Sequence, residues 1–341
     1  MSGIWPRHGP LMEFAAALLV VLMLLRYVWV PTNCTMPGYP LHENAAWLSV
    51  DWTSRVTDSE VVGQLAADTT ARHLRYLFPF VSYVRPDGTF SPSFSHAAEF
   101  VSTFRRFDKH IRLLAWIGIP VRNTLPLGMR GWVNLADPSA RQKVVDFATY
   151  LTAETGFDGV HLDIEPVANG NTDYLRLLEE VRTAIGTSRL LSVAGNHWQP
   201  AILSRLPLVR EYGWNGEYLR AVAMRADQIV VMAYDSTMPS AALYRFWMRE
   251  QVRGLNKALV NSPTQLILGI SVSREVTRTH SPRAENLRAG LAGVCAALTE
   301  INLTERKVAG IAMYASWEAD TLDWKTWEEW QNQTEGRGSL P

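Results

Sequence analysis

The hydrophobic pattern has two regimes. Residues 14–25 are twelve uninterrupted apolar residues, Arg26 interrupts, and Tyr27-Val-Trp-Val resumes the run to residue 30. From residue 45 onward, short and nearly continuous apolar runs alternate with amphipathic stretches. The runs predict strands near 45–52, 75–84, 111–119, 158–165, 189–195, 228–235, 265–273 and 308–317. Helical periodicity fills the gaps. Asp137-Pro138 is a helix-start signal, and Val144, Val145, Phe147, Ala148 and Leu151 continue one apolar stripe. A second stripe runs from Thr172 through Leu175, Leu177, Leu178 and Val181. Strand starts lie 30 to 47 residues apart. Strand–helix alternation with apolar strands means a parallel sheet, and eight such units predict an α/β fold, a (β/α)8 TIM barrel over residues 35–330. A doubly wound open sheet is the structural alternative. No Gly-x-Gly-x-x-Gly follows the first strand to support a dinucleotide site. The last helix is expected over 322–330, with 331–341 as a frayed tail.

Residues 1–34 read as an address rather than as part of the barrel. Twelve apolar residues match a signal peptide, whereas spanning a bilayer takes about 20. Counting through Arg26 gives 17, with that Arg snorkelling at the boundary. No small-x-small cleavage site follows, and Asn33 before Cys34 does not suit lipid attachment. An uncleaved signal anchor is the preferred reading and a cleaved signal peptide the alternative. Arg7 precedes the run, and no Lys or Arg follows Arg26 until Arg55, which puts residues 35–341 outside the cytoplasm, membrane-anchored or secreted. Asn33-Cys-Thr, Asn302-Leu-Thr and Asn332-Gln-Thr match the glycosylation pattern.

Composition narrows the function. Among 341 residues, 33 Lys+Arg balance 33 Asp+Glu, and 47% are apolar. That balance excludes a disordered chain and removes the electrostatic case for nucleic acid. Two cysteines make no disulfide framework and lack zinc-site spacing. Thirteen Trp residues make saccharide a partner worth testing, because flat rings pack on the C–H faces of sugars.

The candidate chemistry lies on the fourth predicted strand, Phe157-Asp-Gly-Val-His-Leu-Asp-Ile-Glu-Pro. Side chains alternate across a strand, so Val160, Leu162 and Ile164 face the helices, and His161, Asp163 and Glu165 face the barrel axis. Asp163 and Glu165 then stand roughly 6–7 Å apart. Glu165 comes last, at the C-terminal mouth where barrel enzymes place their chemistry. The structural alternative is a buried ion network, although stability alone is usually served as well by apolar residues.

This strand resembles the signature of glycoside hydrolase family 18, the chitinase-like barrels, which reads Asp-x-x-Asp-x-Asp-x-Glu. Asp158, Asp163 and Glu165 match its first, third and fourth acidic positions. His161 stands at the middle Asp position and Ile164 where an aromatic residue is common. Met232-Ala-Tyr-Asp on the sixth strand matches the family's Met-x-Tyr-Asp, and Trp317 after the eighth its barrel-floor Trp. The third-strand Ser-x-Gly-Gly is absent, and Ala115-Trp-Ile-Gly stands in its place. Trp116, Trp198 and Trp214 are open to either reading, sugar platform or core.

The resemblance implies substrate-assisted hydrolysis of N-acetylglucosamine-containing glycans without cofactor or metal. Glu165 is the implied acid/base, Asp163 the partner of the substrate's 2-acetamido group, and Tyr234 a donor to the acetamido oxygen. Trp317, Asp235 and Met232 are implied at the sugar. Asp158 is expected to order the loop or the carboxylate network. His161 is expected to stabilise the Asp163 carboxylate as a charged or hydrogen-bonding partner, with its charge state left open because burial lowers a His pKa and a neighbouring carboxylate raises it. The interval between strands seven and eight, about 34 residues, fits one helix and no extra domain, so a shallow open cleft is expected. Two rival classes remain: a catalytically silent carbohydrate-binding barrel, against which Glu165 is present, and a metal enzyme using Asp163, Glu165 and His161 as ligands.

Overall fold

The computed structural model describes residues 29–32, 34, 39–122, 131–205 and 213–335. Most of the apolar run at 14–30 lies outside the described residues. Among the described residues, no helix is long and apolar enough to cross a membrane.

Eight parallel strands close into a barrel in sequence order: β1 (Asn44–Leu48), β2 (Leu74–Tyr83), β3 (Arg112–Pro120), β4 (Gly159–Glu165), β5 (Leu190–Gly195), β6 (Gln228–Met232), β7 (Gln265–Ser271) and β8 (Val308–Tyr314). The helices are α1 (Asp51–Ser54), α2 (Ser59–Ala71), α3 (Ala97–Phe107), α4 (Pro138–Ala153), α5 (Thr172–Ile185), α6 (Gly216–Ala223), α7 (Ala241–Leu259), α8 (Leu287–Glu300) and α9 (Thr321–Thr334). The expected (β/α)8 architecture is the observed one.

Local sequence explains the starts of the helices. Asp137, Asn171, Asn215, Ser240, Asn286 and Asp320 each precede a helix and accept a hydrogen bond from a backbone N–H of its first turn. Those N–H groups have no partner inside the helix, and a short polar side chain satisfies one of them. Three strands end at least three residues sooner than their apolar runs suggest. β1 stops at Leu48 before the helical turn α1, β6 at Met232, and β8 at Tyr314 before a 3-10 turn, Ser316–Glu318. The last helix reaches Thr334, which is buried, so 331–334 belong to the fold rather than to the tail.

The period of two along each strand separates two cores. Leu77, Ala115, Val160, Leu162, Ile229, Leu268 and Ile270 face outward and pack with the helices. Trp47, Tyr76, Phe78, Leu114, Trp116, Val230, Ile267 and Ala312 fill the barrel itself. The β3–β4 register sets Gly118 opposite Asp163 and Pro120 opposite Glu165, which brings both carboxyls to the C-terminal mouth.

Asp158 sits at the other end of β4, seven residues and roughly 23 Å of strand from Glu165. It pairs with Arg105 of α3 and with Arg112, and it accepts the backbone N–H of Leu113 at 2.8 Å. Asp227 repeats this arrangement before β6, with Arg182 and the Leu191 N–H. Asp158 therefore staples the barrel's bottom; it is outside the carboxylate network and outside reach of a ligand at the mouth.

The two cysteines are joined. Cys34 and Cys295 of α8 form a disulfide with Cα atoms 5.9 Å apart. Val30 is also buried, and its carbonyl accepts from Arg245 Nε of α7 at 3.3 Å. The N-terminal segment is thus bonded to the barrel's outer layer, a pairing between residues 261 positions apart that sequence reading did not anticipate.

Candidate active site

Glu165 and Asp163 end the inward face of β4. Trp116 on the neighbouring strand donates its indole N–H to Asp163 Oδ2 at 2.9 Å. Asp163 Oδ1 is buried and has no hydrogen-bond partner among the described residues. Burial pushes the Asp163 carboxyl up to about 6, opposed by hydrogen bonding from Trp116 and Glu165. Glu165 is pushed well above the usual carboxyl range, first by burial and then by the charges of Asp163 and Asp235. Every contribution at Glu165 raises its proton affinity, whereas the hydrogen bonds to Asp163 favour its charged form. Two adjacent carboxyls with proton affinities driven apart make an acid beside an anion.

Tyr234 lies just beyond β6 and points inward, as parity predicts. It is buried, and its ring stacks on Tyr314 with centroids 4.9 Å apart and planes 8° from parallel. Burial keeps its phenol protonated far above neutral pH. Among the described residues its hydroxyl makes no hydrogen bond, leaving a donor free at the site. Met232 ends β6 on the same face and is half-buried. Asp235 follows, exposed at the mouth, with Oδ1 bonded to the Thr279 hydroxyl at 3.0 Å.

His161 lies one layer below, fully buried, and does not bond Asp163. Trp47 donates its indole N–H to His161 Nε2 at 3.1 Å, and His161 Nδ1 meets Ser192 Oγ at 2.9 Å. The Ser192 hydroxyl has one hydrogen, which goes to Gln228 Oε1 at 2.8 Å. Ser192 therefore accepts from His161 Nδ1–H, and Nε2 keeps its lone pair for Trp47. Burial lowers this imidazole to about 3. His161 is neutral, and the expectation that it partners the Asp163 carboxylate, by charge or by hydrogen bond, is corrected: the ring is spent on Trp47 and Ser192 and on stacking against Phe78 at 4.2 Å. With both nitrogens engaged, it also does not join Asp163 and Glu165 as a ligand. Among the described residues no group of three metal-ligating side chains is assembled.

Trp317 is 46% exposed in the 3-10 turn at the rim, its ring edge-on to Tyr314 at 5.9 Å. The aromatic side chain at the base of the site is Tyr314, the last residue of β8, in contact with Tyr234, Trp47 and Trp116. Sequence reasoning missed it because it extended the strand to 317. Ending the strand at 314 puts Ala312 and Tyr314 on the inward face. Of Trp116, Trp198 and Trp214, only Trp116 reaches the site. Trp214 is core, donating to the Val167 carbonyl at 3.0 Å, and Trp198 packs over Gly254 of α7.

The family profile of glycosyl hydrolases family 18 matches residues 60–337. The chain belongs to glycoside hydrolase family 18. Solved structures of similar fold include a chitinase from Bacteroides thetaiotaomicron, at TM-score 0.57 and 15% identity over 88% of this chain and 99% of that one. A plant class V chitinase mutant from Cycas revoluta in complex with (GlcNAc)3 matches at 0.55 and 17%, over 85% and 99%. The Bacillus cereus spore cortex-lytic enzyme SleL matches at 0.55 and 15%, over 86% and 75%. No curated protein sequence matches. At these identities the structural likeness speaks for the fold alone. Within family 18, the departures in this chain are His161 and Ile164 on β4 and the Ala115-Trp-Ile-Gly run on β3.

Proposed function

We propose that the protein is a retaining glycoside hydrolase of β-linked N-acetylhexosamine glycans, acting through the substrate's own 2-acetamido group. The observation that carries this reading is Asp163: one oxygen is capped by Trp116, the other is a buried acceptor without a donor, and a protonated Glu165 stands beside it. An acetamido N–H supplies the missing donor.

Glu165 O–H gives its proton to the glycosidic oxygen as the bond to the anomeric carbon breaks. The acetamido carbonyl oxygen attacks that carbon from the opposite face, forming a cyclic oxazolinium. Asp163, anionic, accepts the acetamido N–H and offsets the positive charge. The Tyr234 hydroxyl donates to the acetamido oxygen and aligns it. Glu165, now a carboxylate, takes a proton from water, which opens the ring with net retention. Tyr314 floors the reacting sugar, with Trp317 at the rim and Asp235 and Met232 beside the ring. The route uses no metal or cofactor.

The substrate class is a chitin-like chain, the glycan of peptidoglycan, or the core of an N-glycan. The compartment is extracytoplasmic, with the 14–30 segment as anchor or cleaved signal. The Cys34–Cys295 disulfide supports this, since such bonds persist in oxidising compartments. Incubation with N-acetylglucosamine oligomers, peptidoglycan fragments and a chitobiose-core glycopeptide, followed by mass spectrometry, tests the reading. Cleavage of at least one of them is expected. Turnover of none by protein whose oligosaccharide binding is intact would favour the silent carbohydrate-binding barrel.

A further inference from the structure

The loop between β7 and α8, residues 272–286, folds over the turn that follows β6. Its centre is Glu285, 1% exposed. One carboxylate oxygen accepts the backbone N–H of Asp235 at 2.8 Å and faces His280 Nδ1 at 2.8 Å. The other accepts the Ser236 N–H at 2.7 Å and the Ser236 hydroxyl. His280 Nε2 meets the Ser273 carbonyl at 3.2 Å, so both ring nitrogens face acceptors and the ring is held as an imidazolium. Its raised proton affinity, due first to the Glu285 bond, agrees. The loop also takes the Thr237 N–H on the Thr279 carbonyl at 2.9 Å.

What this carboxylate holds is a backbone that does not hold itself. Asp235 has φ 54° and Thr237 φ 61°, left-handed conformations that are costly for residues with a Cβ, above all a β-branched one. Such a turn persists where its surroundings over-determine it. The turn begins at Tyr234 and presents Asp235 to the mouth.

Building on the glycosidase reading above, we propose that Glu285, clasped by His280, is a positioning residue that fixes Asp235 for contact with the substrate sugar. Glu285 touches no substrate. It acts through the two N–H groups and the hydroxyl it collects, and His280 supplies the positive charge that lets a carboxylate stay buried there. The ionisable groups around the turn are Asp163 and Glu165 on β4, His197 after β5, Tyr234, Tyr244 on α7, Tyr314, and Glu275 with His280 on the loop.

Glu285→Gln tests the assignment. An amide has one acceptor oxygen where two are needed, so its NH2 group must face an N–H donor on one side. The first readout needs no ligand: amide hydrogen exchange at Asp235 and Ser236. Exchange at one or both should speed up by about tenfold or more, while the β6 amides stay protected. The second readout is titration of an N-acetylglucosamine oligomer into protein carrying Glu165→Gln, which prevents turnover. Adding Glu285→Gln should weaken binding about tenfold, as should adding Asp235→Asn. Combining both should cost no more than either alone, because both remove the same contact. Where Glu285→Gln does not fold, His280→Gln keeps the carboxylate, loses the cation and should shift both readouts in the same direction by less. Unchanged exchange at Asp235 and Ser236 would overturn the positioning role. So would additive losses of affinity. If protein without Glu285→Gln binds no oligomer, the glycan reading fails, and the exchange experiment still decides whether Glu285 holds the turn.

Discussion

Trp47 on β1 and His161 on β4 are joined across the barrel interior by an indole N–H donated to an imidazole lone pair at 3.1 Å. Because indole only donates, this bond fixes which His161 nitrogen is bare and makes the ring neutral. Through Ser192 and Gln228 the chain continues to Gln265 and Tyr76, whose hydroxyl meets Glu43. A polar ladder of this kind holds its members in one arrangement, and Asp163 is not one of them.

His161→Ala should therefore act on stability rather than on proton transfer. It opens a cavity next to Phe78 and strands the Trp47 N–H, for a loss of about 2–4 kcal/mol. Urea denaturation measures this. The pH–rate profile of the folded variant should keep its shape, since a group with a pKa of about 3 does not titrate in the working range.

The same residue gives a pH-dependent stability. In the unfolded chain His161 takes a proton near its ordinary 6.5, while in the fold burial holds it at about 3. The unfolded state thus binds more protons between these values. Stability is complete above about 6.5 and falls as pH drops toward 3. His161→Gln removes the titration while keeping a donor and an acceptor. The difference in unfolding free energy between the two proteins should shrink or reverse on going from pH 7 to pH 4.

Glu165→Gln should lower turnover by roughly 10³-fold and leave oligosaccharide binding intact. It should also raise the melting temperature at neutral pH. A carboxyl whose proton affinity is raised in the fold costs stability as pH rises above its unfolded value, here 4.5. The gain should be present at pH 7 and vanish below about 4.5. A scan at both pH values checks it.

The β4 signature and the strand–helix rhythm make the barrel legible in the sequence. They rest on local periodicity: His161, Asp163 and Glu165 share a face because a strand has period two. What was not legible depends on contacts distant in sequence. His161 looks like a charge partner of Asp163 until Trp47 and Ser192 claim its nitrogens. Asp158 looks by motif like part of the carboxylate network, yet it precedes its strand at the opposite end and pairs with Arg105. Glu285 and His280 match no motif and became visible only when the β7–α8 loop was seen to lie over Asp235. Tyr314 was hidden by a strand end misplaced by three residues.

Tyr314 and Trp317 can be separated by substitution. In protein carrying Glu165→Gln, Tyr314→Ala should weaken oligosaccharide binding at least tenfold, about 1.4 kcal/mol. Trp317→Ala, at the half-exposed rim, should weaken it less. Calorimetric titration of the two variants compares them, and the opposite order would return the floor to Trp317.

Cys34→Ala should cost about 2–4 kcal/mol, since the bond closes a very long loop in the unfolded chain. Reductant should lower the melting temperature of the unaltered protein and leave that of Cys34→Ala unchanged.

The most direct test of the central claim is proton NMR of the first product formed from a β-linked N-acetylglucosamine oligomer, read before mutarotation. The account predicts the β-anomer, with no turnover of the matching glucose oligomer, which lacks the acetamido nucleophile. The α-anomer as first product, or equal cleavage of both oligomers, would contradict it.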